Sequence, residues 1–205
     1  MTPGRGRRGA AAALALLLLC PACASTKLAQ VWKEPQPGPP ARKVLVVAVV
    51  PQPTQRRTLE GEFAELLQQR GLQAVPANQL EPDGQRLDRA RVEELVRSQG
   101  FDAVLISRYA GTSDTTRYVP GGPVGDPMDM GLYGYYGQLY PTVYTPGHVQ
   151  QNETVSVETM LYRTAGKGQL VWSTTSQSLN PTSPYKVIED IGNAVVKRMA
   201  EDKVI

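Results

Sequence analysis

Cysteine and histidine are nearly absent: the chain has two Cys and one His in 205 residues. A disulfide-built scaffold needs more cysteine pairs than that, so the class is excluded. His-based catalytic triads have a single candidate, His148, and its Gly/Pro-rich surroundings do not resemble a nucleophile elbow. Long apolar runs are equally scarce. Only Ala10 to Leu19 is as long as ten residues, which excludes a polytopic helical membrane protein. Excess basic charge is missing too. Lys and Arg number 22 against 19 Asp and Glu, but Arg5, Arg7 and Arg8 precede residue 22 with no acid among them. The remainder is formally neutral, which argues against a nucleic-acid partner. A hydrophobic content of 41% excludes a charge-dominated disordered chain.

What is present begins with an export signal. Three arginines, the Ala/Leu run and the small residues Ala22, Ala24 and Ser25 follow in the order of a secretory leader, giving a signal peptide over 1–22. The run is too short for a transmembrane helix, which needs about 20 apolar residues. Cys20-Pro21-Ala22-Cys23 resembles a bacterial lipobox, departing from it at Cys20 where Leu is usual. The resemblance implies lipidation of Cys23 with a diacylglycerol and an amide-linked chain such as palmitate. Two or more acyl chains anchor durably, each buried methylene adding about 0.8 kcal/mol. Ala24 after that cysteine implies outer-membrane sorting, with the inner membrane or soluble periplasm as alternatives. Two other outcomes stay open: lipidation of Cys20, and ordinary cleavage before Ser25. Residues 23–41 then read as a lipid anchor and Pro-rich tether, with Pro35, Pro37, Pro39 and Pro40 favouring extended backbone. Trp32 within it is either a docking residue or plain tether.

The body, 42–205, reads as a single α/β domain. Val44 to Val50 is apolar at every position, the pattern of a strand covered on both faces. Leu59, Phe63, Leu66 and Leu67 form a helical stripe that ends near Gly71. Leu72 to Val75 is a short strand stopped by Pro76. Asp88 is a helix N-cap ahead of Val92, Leu95 and Val96, and Phe101 to Ser107 is a third strand, extendable to Tyr118. Val155 to Tyr162 alternates as a half-exposed strand, and Gly166-Lys167-Gly168 turns it into Leu170 to Leu179. Ser183-Pro184 opens a last helix carrying Ile188, Ile191, Val195 and Met199. The expected fold is a three-layer α/β arrangement, β-α-β-α-β-loop-β-β-α, on a mixed five-stranded sheet of order 2-1-3-4-5 with helices on both faces. Its switch point lies between the first and third strands, where ligands favour the carboxyl edge beside Pro51-Gln52-Pro53 and Arg108.

The long interruption at about 120–148 has its own character. Between Pro120 and Gly147 there are seven Gly and five Pro, with Tyr133, Tyr135, Tyr136, Tyr140 and Tyr144. No Lys or Arg occurs between Arg117 and Arg163. Gly and Pro deny regular structure, while Tyr offers rigid contact area at low entropic cost. The five tyrosines are the candidate partner-binding residues; the competing reading is a low-complexity insertion resting on the protein's own surface. Asp126 and Asp129 fall short of a six-to-eight-oxygen calcium site, and Gly166-Lys167-Gly168 lacks phosphate-loop spacing. No metal, cofactor or catalytic residue is expected.

Several stretches taken in order resemble a family of small bacterial lipoproteins of unknown function. They are Cys23-Ala24-Ser25-Thr26, Val31 to Pro35, Lys43 to Val47, Asp102 to Leu105, Leu161-Tyr162 and Gln169 to Ser173. The element order is also similar to the TolB N-terminal, CsgG and LpoB group of envelope domains. The resemblance implies a non-catalytic module working through contacts with an envelope protein or the cell wall. A small-ligand binder or enzyme using the crevice near Gln52 and Arg108 is the alternative.

Overall fold

The structure is a computed structural model and describes residues 26–81, 87–120 and 147–205. The described residues form β1 (Thr26–Lys33), β2 (Lys43–Val49), α1 (Pro53–Gln69), β3 (Gln73–Pro76), α2 (Ala77–Leu80), α3 (Arg89–Gln99), β4 (Ala103–Val119), β5 (His148–Arg163), β6 (Gln169–Leu179) and α4 (Pro184–Glu201). The strands make one mixed sheet of order β1-β6-β5-β4-β2-β3. β2 pairs in parallel with β3 and β4, and every other pairing is antiparallel.

The sheet has six strands, which corrects the expected five. The extra one, β1, comes from residues assigned to the tether. Thr26, Leu28 and Val31 alternate with Lys27, Gln30 and Trp32, and the strand adds to β6 from Thr26↔Ser178 to Lys33↔Trp172. Leu28 and Val31 pack against the core. Extended backbone therefore does run through this segment, but the unpaired edge of β6 captures its first half. The prolines serve a different purpose. Residues 35–40 lead from the end of β1, at one edge, back to the start of β2. Glu34 N donates to Val171 O, Ala41 N donates to Val204 O, and an Arg163 guanidinium N–H donates to Pro39 O. Proline suits such a connection because it lacks the N–H that would otherwise need a partner.

Two apolar layers hold the sheet. On one face α1 and α4 bury Leu59, Phe63, Leu67, Ile191, Val195 and Met199 against Val44, Val46, Leu105, Leu161 and Trp172. On the other, α2 and α3 bring Ala77 and Leu95 onto Leu45, Val47, Phe101 and Val104. This is why β2 is apolar at every position from Val44 to Val49. Each large side chain so buried stabilises by about 1.5–3 kcal/mol. The helix signals read from sequence act as stated: Asp88 Oδ1 accepts from Arg91 N at 2.8 Å, and Ser183 Oγ accepts from Lys186 N at 3.2 Å. At Gly192 a Cβ would stand 2.9 Å from Leu66 Cδ1, so α1 and α4 approach closely only because that side chain is absent.

Candidate functional site

The site begins where β2 stops. Pro51 and Pro53 end the strand and start α1, with proline in the first helical turn where its missing N–H costs nothing. β4 keeps going. It pairs with β2 only as far as Val49↔Arg108, then continues with β5 to Val119↔His148. Between Tyr109 and Gly111 the register slips by one residue, and Gly111 has φ +127°, a conformation closed to other residues without strain. Beyond Leu179, which pairs with Thr154, Asn180 still bonds to Glu153 and Asn152; past those residues no described strand but β4 pairs with β5. Thr116–Val119 and His148–Gln151 thus form a two-stranded ribbon clear of the sheet, nearly all of it exposed.

A cleft of about 460 Å³ opens at the root of this ribbon. Gln52, Gln55 and Leu59 of α1 and its lead-in form one wall; Val187, Ile188 and Ile191 of α4 form the other. Tyr109, Thr112, Val155 and Val157 line its floor. The walls are mainly apolar, and three of the polar side chains are already engaged. Tyr109 Oη and Thr112 Oγ1 share a hydrogen bond of 2.7 Å, while Ser183 caps α4. A second hollow of about 370 Å³ lies across the same turn, beside Val47, Pro53, Arg56 and Leu87.

The turn between the two hollows is fixed by a carboxylate that sequence reading missed. Glu60 is wholly buried. Its Oε1 accepts from Ala48 N and from Arg56 Nε, each at 3.0 Å, and its Oε2 accepts from Asn78 N and Asn78 Nδ2, each at 2.8 Å. One side chain on α1 therefore ties the end of β2 to the first turn of α2. The signal was in the sequence: Arg56, Glu60, Phe63 and Leu67 share the buried face of α1, so a charge stood on an apolar stripe.

At the opposite end of the molecule, Trp172 Nε1 donates to Asp202 Oδ2 at 2.8 Å and Arg198 Nε donates to the same oxygen at 3.0 Å. Burial raises the Asp202 pKa, but the two donors outweigh it and hold the carboxyl below its ordinary range. Glu62, on α1, goes the other way. Burial, with Glu65 and Glu189 nearby, pushes its carboxyl up.

Of the residues expected at the crevice, Gln52 lines the cleft and Arg108 does not. Arg108 pairs with Glu158, on the sheet face away from α1 and α4. His148 is exposed at the end of the ribbon, across from Val119. Cys23, Tyr133, Tyr135, Tyr136, Tyr140, Tyr144, Asp126 and Asp129 lie outside the described residues. Among the described residues, no group of three or more His, Cys, Asp or Glu could hold a metal ion. No described helix is long and apolar enough to cross a membrane.

No protein-family profile matches the chain, and no curated protein does. Solved structures do. The chain is similar in fold to the PelC dodecamer from Paraburkholderia phytofirmans, at 16% identity and a TM-score of 0.47 over 83% of this chain and 94% of that one. It is also similar to the lipoprotein GNA1162 from Neisseria meningitidis, at 18% identity and a TM-score of 0.41 over 78% and 99% of the two chains. At such identities the likeness is one of architecture alone.

Proposed function

We propose that this protein is a lipid-anchored, non-catalytic interaction module of the bacterial envelope, held at the outer membrane through Cys23 and facing the periplasm. One observation carries the reading. The two ends of the Tyr/Gly/Pro-rich segment leave the fold side by side, from Val119 and His148 at the end of an exposed ribbon. A two-stranded ribbon is marginal in water by itself, so keeping one beyond the sheet makes sense if what it carries meets a partner. Tyr133, Tyr135, Tyr136, Tyr140 and Tyr144 supply contact area there, and the partner is an envelope protein or the cell wall. A relationship to the TolB N-terminal, CsgG and LpoB group belongs to the same reading.

The test replaces residues 121–146 with an Asn-Gly turn and compares, in intact envelopes, the photo-crosslinked products from position 116, on the ribbon that both proteins keep. A discrete partner, lost with the segment while the fold persists, is the expected result. Equal capture by the shortened protein overturns the proposal.

The cleft favours a second reading, a binder of a small apolar ligand. Its volume lies in the range of small-molecule sites, and its walls are apolar with Gln52 and Gln55 at the rim. Native mass spectrometry of protein taken from envelopes, with and without Ile188→Trp to fill the cleft, decides that case. A bound mass absent from the variant supports it, and no bound mass in either protein refutes it.

A further inference from the structure

The exposed apolar side chains are not scattered. Val49, Tyr109, Tyr118, Val149, Leu179 and Tyr185 are all exposed, Tyr118 at 65% and Val149 and Tyr185 at 60%. Topology places every one of them at one end. Val49 closes β2, Tyr109 and Tyr118 lie on β4 past that point, Val149 opens β5, Leu179 closes β6, and Tyr185 begins α4. Since β2, β4 and β6 run the same way, these positions share the end where the ribbon projects. Trp32, at the far end of β1, is the one large exposed hydrophobic placed elsewhere among the described residues. The far end carries Arg42, Lys43, Arg163, Lys167, Arg198 and Lys203, against Arg108, Arg117 and Lys186 at the ribbon end.

The chain also enters at the apolar end. Thr26, Ser178, Val155 and Thr112 lie abreast across four strands. From Cys23 to Thr26 is three residues, a contour of at most about 10 Å. From Thr112 to Val119 β4 climbs seven residues, about 23 Å at the usual strand rise. The leash is thus shorter than the stretch of β4 it sits beside. A lipid on Cys23 brings the bilayer surface within reach of Thr26, and the ribbon must then lie along that surface or enter it.

We infer that the ribbon end of the molecule rests in the phospholipid interface of the membrane that holds its anchor, with Tyr118 and Val149 in the headgroup and upper acyl region and Leu179 and Tyr185 facing the surface. Tyrosine prefers that zone because its ring is apolar and its hydroxyl is not. No Lys or Arg occurs between Arg117 and Arg163, and Arg117, on the ribbon beside Tyr118, has a side chain long enough to keep its charge at the lipid phosphates. The inference rests on the anchor reading above, and it narrows the partner of the Tyr-rich segment to something at or in the bilayer.

The test uses the full chain, expressed in bacteria so that the leader is processed, and reconstituted into phosphatidylethanolamine/phosphatidylglycerol vesicles. Part of the phosphatidylglycerol carries brominated acyl chains. Tyr118→Trp reports the ribbon, Lys167→Trp the opposite end, and the parent, with Trp32 and Trp172, sets the baseline. Mass spectrometry of the mature N-terminus reads the anchor separately. Acylated protein should show a blue shift and bromine quenching of the added indole at position 118, and neither at position 167. Acylated protein with an unquenched indole at 118 overturns the inference alone, whether a second copy or another protein covers the ribbon. Protein without acyl mass overturns the anchor reading, and this inference with it.

Discussion

Removing the Glu60 carboxylate should loosen the end of the sheet where cleft and ribbon meet. In Glu60→Ala, Ala48 N, Asn78 N and Asn78 Nδ2 lose their acceptor, and Arg56 loses its carboxylate at 3.0 Å. Breaking a buried ion pair by removing one partner typically costs about 3–5 kcal/mol. Against a total of about 5–15 kcal/mol for a domain, that is at least about a fifth of the stability. Glu60→Gln keeps the shape but turns one end into an amide donor facing existing donors. Two of the four contacts are lost, at a cost of about 2–3 kcal/mol. Guanidinium unfolding followed by Trp172 emission measures both. In a chain of this size the melting temperature should fall by about 2–4 °C per kcal/mol. Asn78→Ala in a double-mutant cycle with Glu60→Ala should be non-additive by about 0.5–3 kcal/mol, because both remove the contact between Asn78 Nδ2 and Glu60 Oε2. A Glu60→Ala protein within about 1 kcal/mol of wild type, or additive with Asn78→Ala, refutes the argument.

Other consequences are as direct. Asp202 has a folded pKa below its unfolded one, so its contribution is full above the ordinary aspartate pKa of about 4 and fades as pH falls through the folded value. Asp202→Asn should therefore be less stable than wild type near neutrality, with the gap closing in acid; a gap that persists in acid contradicts the assignment. Glu62 has the opposite sign. Its raised pKa means stability is lost as pH rises through that value, so Glu62→Gln should melt higher than wild type at neutral pH and equally in acid. Gly192→Val should destabilise by about 1–3 kcal/mol, since its side chain meets Leu66 and Glu62; a neutral effect in thermal melts means α1 and α4 are less tightly packed than described. Val31→Pro, which removes an N–H from β1, should free that strand; hydrogen exchange accelerated only in β1 and β6 is expected, and unchanged protection speaks against the sixth strand.

Much of the fold was legible because single-residue signals agreed with periodicity. The apolar run of β2, the stripe of α1, the Asp88 and Ser183 caps and the Gly166-Lys167-Gly168 turn all point one way, and the described helices and strands follow them. β1 was hidden because four prolines close behind it gave the whole stretch the composition of a linker, while its alternation spans only eight residues. The buried face of β6 was equally obscure: Ser173 to Ser178 is polar on both sides, and burial of Thr174, Ser176 and Ser178 beneath α4 leaves no apolar trace. At the site, Pro51 to Pro53 marked the edge of the cleft because proline ends strands visibly. Arg108 was misplaced because strand alternation sends it to the far face, toward Glu158. Glu60 was overlooked because a lone acid in a helix ordinarily reads as solvated, and only its place among buried neighbours shows otherwise.

The direction of β1 has a mechanical consequence. Its first residue, Thr26, lies at the same end of the sheet as the ribbon, and its hydrogen bonds to β6 run across the strand axis from Thr26 to Lys33. Tension applied through the N-terminus along that axis loads those bonds together in shear. A strand entering from the other end would instead peel away one bond at a time. The fold is thus arranged to be towed by its leading residue without unzipping.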